Sequence, residues 1–337
     1  MKLRTRKSSL CKSSLCLAAV LACASSAIAQ SAPKPDTSTH SARMVSVEPS
    51  VNLEVLDWGG SGQTLILLAG MGDTAHVFDT FATKLTGKYH VYGITRRGFG
   101  VSSKPDFVTS NYKAARLGDD VLAVIAALHL GRPVLAGHSF GGEELSDIGF
   151  HHPDAVAGLI YLDAGYSYAL YDQAHGQFML DGLRLQEMLQ NIIPGKIPRD
   201  NVKSLKEIQE QLKLVDREIT EYLPLLTPAM TAPGPRPDPP PYLYALFSGQ
   251  ESFPTVNTPT LALFAVPHDF GPPDNSPARA QLETRDLRIT EYQVKAFETQ
   301  VPTARIVRMP HASHYIFVSN EGDVLREIDA FISTLKK

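Results

Sequence analysis

Pro133-Val134-Leu135-Ala136-Gly137-His138-Ser139-Phe140-Gly141-Gly142 is the stretch on which the reading of this chain turns. The apolar run from Pro133 to Ala136 predicts a buried strand, and Glu143 to His152 predicts a helix. Between them stands a serine, in Gly137-His138-Ser139-Phe140-Gly141. A serine on a sharp turn from strand to helix is a nucleophile elbow. The strained turn lifts the hydroxyl clear of the sheet. Glycines two residues before and after it keep side chains out of a space where a Cβ would clash. The helix start offers free backbone N–H groups and the positive end of its dipole to charge developing on a substrate. Ser139 is the expected nucleophile. Phe140 matters for its backbone N–H, which follows the nucleophile and is an expected oxyanion donor. The five-residue pattern alone recurs by chance; the strand before it and the helix after it supply the context it needs.

Outward from the elbow, strands and helices alternate between residues 64 and 163. Thr64 to Ala69, His90 to Ile94 and Val156 to Leu162 are strand candidates, and Val77 to Leu85 is a helix candidate. Leu117, Val121, Ile125 and Leu128 fall on one helical face. Such alternation implies a parallel sheet built from right-handed crossovers. Upstream, Val45 to Val47 and Leu53 to Leu56 read as two further strands parted by Pro49-Ser50. Residues 164–252 show helical periodicity without strands and include the Pro-rich run Ala232 to Pro241, an irregular extended loop. The strand pattern resumes at Thr260 to Val266 and Arg305 to Met309, with helices around Leu287 to Phe297 and Asp323 to Leu335. The expected architecture is α/β: a mostly parallel central sheet with helices on both faces and a helical cap inserted after the sixth strand. The expected divisions are a signal peptide at 1–29, a linker at 30–43, core at 44–163 and 253–337, and the cap at 164–252.

The signal peptide is read from Lys2, Arg4, Arg6 and Lys7, the apolar stretch Leu15 to Ala22, and Ala27-Ile28-Ala29, whose small residues suit cleavage after Ala29. It is too short to span a bilayer, and no later stretch is long and apolar enough to be a span. A secreted or periplasmic protein is expected. The rival reading is a lipoprotein anchored at Cys23 of Val20-Leu21-Ala22-Cys23. All three cysteines, Cys11, Cys16 and Cys23, lie in this segment, so cleavage leaves a chain without disulfides. The segment also carries five of the 32 basic residues and no acidic one; 27 basic against 35 acidic residues remain, a net charge of −8. That balance argues against nucleic acid or an anionic membrane surface as partner.

Four segments together resemble capped serine hydrolases of the α/β-hydrolase superfamily, in the esterase and cofactor-free haloperoxidase branch and of secreted bacterial type. They are Ala69-Gly70-Met71-Gly72, Arg96-Arg97-Gly98-Phe99-Gly100-Val101-Ser102-Ser103, Gly137 to Gly141, and Pro310-His311-Ala312-Ser313-His314. The resemblance covers residues 44–337. It implies the second oxyanion donor at the N–H of Met71 and the base at His314, beyond the last strand; His311 is the rival. For the acid it offers Asp269, just past the Thr260–Val266 strand in the commonest superfamily position, and Asp163, at the end of the preceding strand. Both obey the order Ser, acid, His. Asp269 is the preferred acid; Asp163 could instead cap a helix, and Asp269 could be a turn residue.

Glu143 and Glu144 fall in the first turns of the elbow helix, where the superfamily carries small or apolar residues. A buried carboxylate needs a partner. Arg96 or Arg97 is the candidate, in an ion pair bracing the elbow; a catalytic role is the other reading of these two carboxylates. Tyr166, Tyr168 and Tyr171 follow Asp163 and are expected to wall the substrate pocket, with Tyr242, Tyr244 and Phe247 at the cap's return; packing cap onto core is their other reading. The histidines show no metal pattern, and neither a phosphate-cradling loop nor a dinucleotide fingerprint occurs, so no metal or cofactor is expected.

The expected function is cleavage of a small to medium carboxylic ester through an acyl-enzyme, with a small-molecule ester as the partner. A serine at the elbow argues against a haloalkane dehalogenase or epoxide hydrolase, which the superfamily runs with a carboxylate there. Aminopeptidase, lactonase and carbon–carbon hydrolase are same-fold alternatives; a non-catalytic ligand-binding relative is the alternative from another class. Oligomeric state is not legible.

Overall fold

Eight strands form a single sheet in the order β1-β2-β4-β3-β5-β6-β7-β8. They are β1 Ser41–Glu48, β2 Val51–Gly59, β3 Gln63–Leu68, β4 Tyr89–Ile94, β5 Val134–His138, β6 Gly158–Leu162, β7 Thr260–Ala265 and β8 Arg305–Met309. β1 and β2 form an antiparallel hairpin at one edge, and β2 also pairs antiparallel with β4. From β4 through β3 to β8 every pairing is parallel. This computed structural model describes residues 39–166, 169–172, 176–192, 198–226, 240–272 and 275–335. Those residues, Leu226 excepted, belong to one compact unit, Thr37–Leu225 with Pro240–Lys337. The predicted signal peptide, most of the predicted linker, Tyr168 and most of the Pro-rich run lie outside the described residues.

The apolar strands are buried on both faces, as parallel strands require. In β3, Leu65 and Leu67 face one core and Ile66 and Leu68 the other. The first core is built with α1 Asp79–Leu85 and α9 Glu321–Thr334, through Phe81, Leu85, Ile328 and Phe331. The second is built with α2 Ala114–Ala127, α3 Gly141–His151 and α7 Pro277–Gln300, through Val121, Val124, Ile148 and Phe297. Between β6 and β7 the regular elements among the described residues are helices, chiefly α4 Phe178–Gln190, α5 Pro198–Tyr222 and α6 Pro241–Ser248. A short α8, Ile316–Ser319, precedes α9.

Register brings the chemistry to one edge. Gly137 pairs with Tyr161 and His138 with Leu162, so β5 and β6 end side by side and release Ser139 and Asp163 as neighbours. Carboxyl ends of parallel strands are where open α/β sheets gather ligand-binding residues. Beyond β7 and β8 the ladder continues. Val266 N–H donates to the Met309 carbonyl at 3.2 Å, His311 N–H to Pro267 at 2.8 Å and Asp269 N–H to Ala312 at 2.8 Å. His268 and Ala312 form a bridge there, which carries the loop bearing His314 in beside β7.

Candidate active site

Ser139 sits at φ 50°, in the left-handed backbone expected of a nucleophile elbow, with its N–H toward the Leu162 carbonyl at 3.3 Å. The flanking glycines are required by contact. A Cβ on Gly137 would stand 2.6 Å from the Gly141 carbonyl oxygen, and one on Gly141 2.8 Å from that of Leu68. Gly70 lies against the same turn: a Cβ there would come within 3.1 Å of the Ser139 Cβ. The loop that begins at Gly70 and the start of α3 therefore flank the serine.

His314, not His311, faces a carboxylate. Its Nδ1 donates to Asp163 Oδ2 at 2.6 Å. His311 is exposed. The carboxylate that meets His314 is that of Asp163, and the preferred acid Asp269 is not brought to it. Asp269 is exposed, and its Oδ1 caps its own turn by accepting from Gly271 N–H at 2.7 Å. Successive residues of an extended ladder point to opposite sides. At the end of β7 that alternation turns His268 inward and Asp269 outward. Asp163 is buried at φ 49°, with Oδ1 accepting from Ala265 N–H at 2.9 Å. Burial pushes its carboxyl up, but hydrogen bonds and charge from His268 and His314 together outweigh it and hold the group below the usual carboxylate range.

His268 and Asp286 escaped sequence reading. His268 Nε2 lies 2.7 Å from Asp163 Oδ2, and its Nδ1 lies 3.0 Å from both oxygens of Asp286. Burial disfavours the charged imidazole, but the two carboxylates raise it to about 10. The only sequence signal was the position of His268 next to the favoured aspartate; nothing marked Asp286 on α7. His138, before the serine, is buried and stays neutral, pushed down to about 3 by burial and the neighbouring His314. Its Nε2 lies 3.1 Å from the His314 carbonyl, and its ring 4.6 Å from the His314 ring. Asp163, His268 and His314 each offer a donor atom within 4.8 Å of the others, as do His40, His76 and Asp79 at another place.

The expectation for Glu143 and Glu144 divides. Arg96 Nε and Nη2 meet the Glu144 carboxylate at 2.5 and 3.0 Å, with both side chains buried. The guanidinium also donates to the carbonyls of Ala69 at 2.9 Å and Gly70 at 3.3 Å, and lies over the Phe140 ring. It ties both predicted oxyanion loops to α3. Arg97 goes elsewhere, to Asp120 and Glu48. Glu143 enters no ion pair: it is fully buried, with neither carboxyl oxygen partnered among the described residues. Burial, then the charge of Glu144, pushes its carboxyl well above the usual range. The folded protein thus holds a proton there that the unfolded chain releases above pH 4.5. Stability should fall with rising pH from that point by up to about 1.4 kcal/mol per unit. Glu143→Gln should remove that slope, read from urea unfolding at pH 5 to 8; identical slopes would show Glu143 ionised in the fold.

Of the predicted pocket tyrosines, Tyr166 stands edge-on to His314 with ring centroids 5.9 Å apart. Tyr171 instead turns into the insertion, where its hydroxyl donates to Asp181 of α4 at 2.8 Å. Tyr168 lies outside the described residues. Tyr242 packs on Phe99 and Phe107, Phe247 is buried and Tyr244 is exposed, so the first two hold α6 to the core.

A parallel sheet thus carries a serine on a strained turn and a histidine–carboxylate pair at its carboxyl edge, the arrangement of a hydrolase. The chain belongs to the alpha/beta hydrolase family, whose model matches residues 65–327. It is 32% identical over 117 residues to a fluoroacetate dehalogenase of Burkholderia sp, covering 34% of this chain and 38% of that protein. It is 29% identical over 178 residues to an sn-1-specific diacylglycerol lipase of Danio rerio, covering 51% of this chain and 53% of that protein. The matched stretches thus span about half or less of these relatives' length. In fold it is similar to an E-2-(acetamidomethylene)succinate hydrolase, with a TM-score of 0.52 and 20% identity over 88% of this chain and 100% of that one. No helix among the described residues is long and apolar enough to cross a membrane.

Proposed function

We propose that this chain is a serine hydrolase that cleaves small to medium carboxylic esters through an acyl-enzyme. The observation that carries the reading is the 2.6 Å bond from His314 Nδ1 to buried Asp163, at the sheet edge that also presents Ser139 on its strained turn. A serine hydroxyl needs a base to become a nucleophile. With Nδ1 occupied as a donor, His314 has Nε2 free of its proton to take that of Ser139 Oγ. Asp163 orients the ring and stabilises the imidazolium without taking the proton. The N–H groups of Met71 and Phe140 receive the oxyanion. His314 then protonates the leaving alkoxide and next activates the water that releases the acid.

Two relatives bear on substrate in opposite ways. The Danio rerio protein is named a lipase, consistent with ester chemistry. The Burkholderia protein is named a dehalogenase, a reaction the superfamily runs with an elbow carboxylate, where this chain has Ser139. In this reading residues 164–252 serve as a cap, and Tyr166 is a part of it that stands beside His314. The N-terminal segment serves as an export signal that places the enzyme outside the cytoplasm; a mature chain starting at Gln30 in N-terminal sequencing would support it, and one starting at a lipidated Cys23 would replace it.

A fluorophosphonate probe, followed by peptide mapping, tests the chemistry. Labelling is expected at Ser139, alongside turnover of p-nitrophenyl esters of graded chain length and little action on amides or lactones. A folded protein that takes no probe would be a ligand-binding relative. Faster turnover of an amide or lactone would move the substrate class.

A further inference from the structure

We propose that His268 is a positioning residue: clamped between Asp163 and Asp286 by its two ring nitrogens, it fixes the Asp163 carboxylate that meets His314. The proposal rests on the hydrolase reading for its link to catalysis, but its charge coupling can be measured without any substrate.

Donor counting gives the charge. A carboxylate only accepts hydrogen bonds. His268 Nε2 is 2.7 Å from Asp163 Oδ2, and Nδ1 is 3.0 Å from both oxygens of Asp286. Each ring nitrogen must therefore carry a proton, which makes the ring cationic. The backbone N–H of His268 adds a 3.3 Å bond to Asp286, so ring and main chain are held by the same carboxylate. His268 is tied in turn to the loop carrying His314 by its bridge to Ala312.

The cation has a consequence for the base. Asp163 Oδ2 is shared: His314 Nδ1 reaches it at 2.6 Å and His268 Nε2 at 2.7 Å. The two rings lie 6.0 Å apart. The His268 charge competes for the same oxygen and repels a second imidazolium. The other groups around His314 do not supply this opposition. His138 is neutral, Tyr315 and Tyr166 present rings, and Asp73, bonded to the Tyr315 hydroxyl, is an acid. Around His268 stand Asp163, Asp286, His314 and the Phe270 ring, over which the Arg279 guanidinium lies.

NMR titration of His314 in the full chain tests the coupling, with its resonance identified by its absence in His314→Gln. In His268→Gln the glutamine amide can still reach Asp163 but brings no charge. Loss of that charge should move the His314 titration to higher pH than in the wild type. Asp286→Asn should shift it the same way by less, since the ring keeps one carboxylate. The acid limb of the fluorophosphonate labelling rate should move in parallel, with near-wild-type labelling recovered at alkaline pH. An unmoved His314 titration in folded His268→Gln overturns the proposal, as does a lowered melting temperature with an unmoved labelling profile. Failure of the wild type to react at Ser139 strikes the hydrolase reading instead, and the titration still decides the charge coupling.

Discussion

Ser139→Ala should lower kcat for p-nitrophenyl ester hydrolysis by about 10^5 to 10^6-fold while the melting temperature stays within a degree or two. The substitution deletes one hydroxyl from a half-buried turn. Among the described residues, the bonds that hold the elbow do not use that oxygen. The turn is kept by Gly137 and Gly141, by the Ser139 N–H to Leu162, and by the bond from Gly142 N–H to the Ser139 carbonyl at 2.9 Å. Residual rate over water should come from the oxyanion donors and substrate binding, which the change leaves in place. A stopped assay beside a thermal melt decides it. Turnover near the wild-type level in a folded variant removes the serine from the mechanism and with it the acyl-enzyme.

Asp163→Asn should cost about 10^4-fold in kcat, because a carboxamide neither fixes the productive tautomer of His314 nor stabilises its imidazolium. Asp269→Asn should change kcat by less than about twofold, as exposed surface changes do little. This pairing reverses the ranking that the superfamily's commonest pattern suggests. Asp163 also contributes stability, since its folded pKa lies below the ordinary 3.8. That contribution is present above pH 4 and is lost as pH falls below it, so the gap in melting temperature between wild type and Asp163→Asn should narrow in acid. Kinetics are best read at a temperature where both variants are folded by circular dichroism. A larger loss in Asp269→Asn than in Asp163→Asn would return the acid to Asp269 and show that the His314–Asp163 bond is structural.

What the sequence determined by itself was the periodic and the local. Apolar runs of five or six residues alternating with helical faces specified a doubly covered parallel sheet, because only such strands are apolar on both sides. The elbow was legible because its demands are met within five residues: two glycines where carbonyl oxygens lie under 3 Å from any Cβ, and a serine between them. Glu144 and Arg96 were paired correctly as a possibility because a buried carboxylate needs a cation.

Tertiary structure alone decided which aspartate meets the histidine. Asp163 and Asp269 end adjacent strands and satisfy the same chain order. The choice lies in side-chain direction, one residue of ladder alternation beyond β7, which puts His268 inside and Asp269 in water. The same alternation brought in His268 and, through it, Asp286 from a helix 18 residues away. Tyr171 and Glu143 were settled likewise by which neighbour stood within reach. A carboxylate's role depends on the donors within 3 Å of it, and those come from separate elements whose distances only folding fixes.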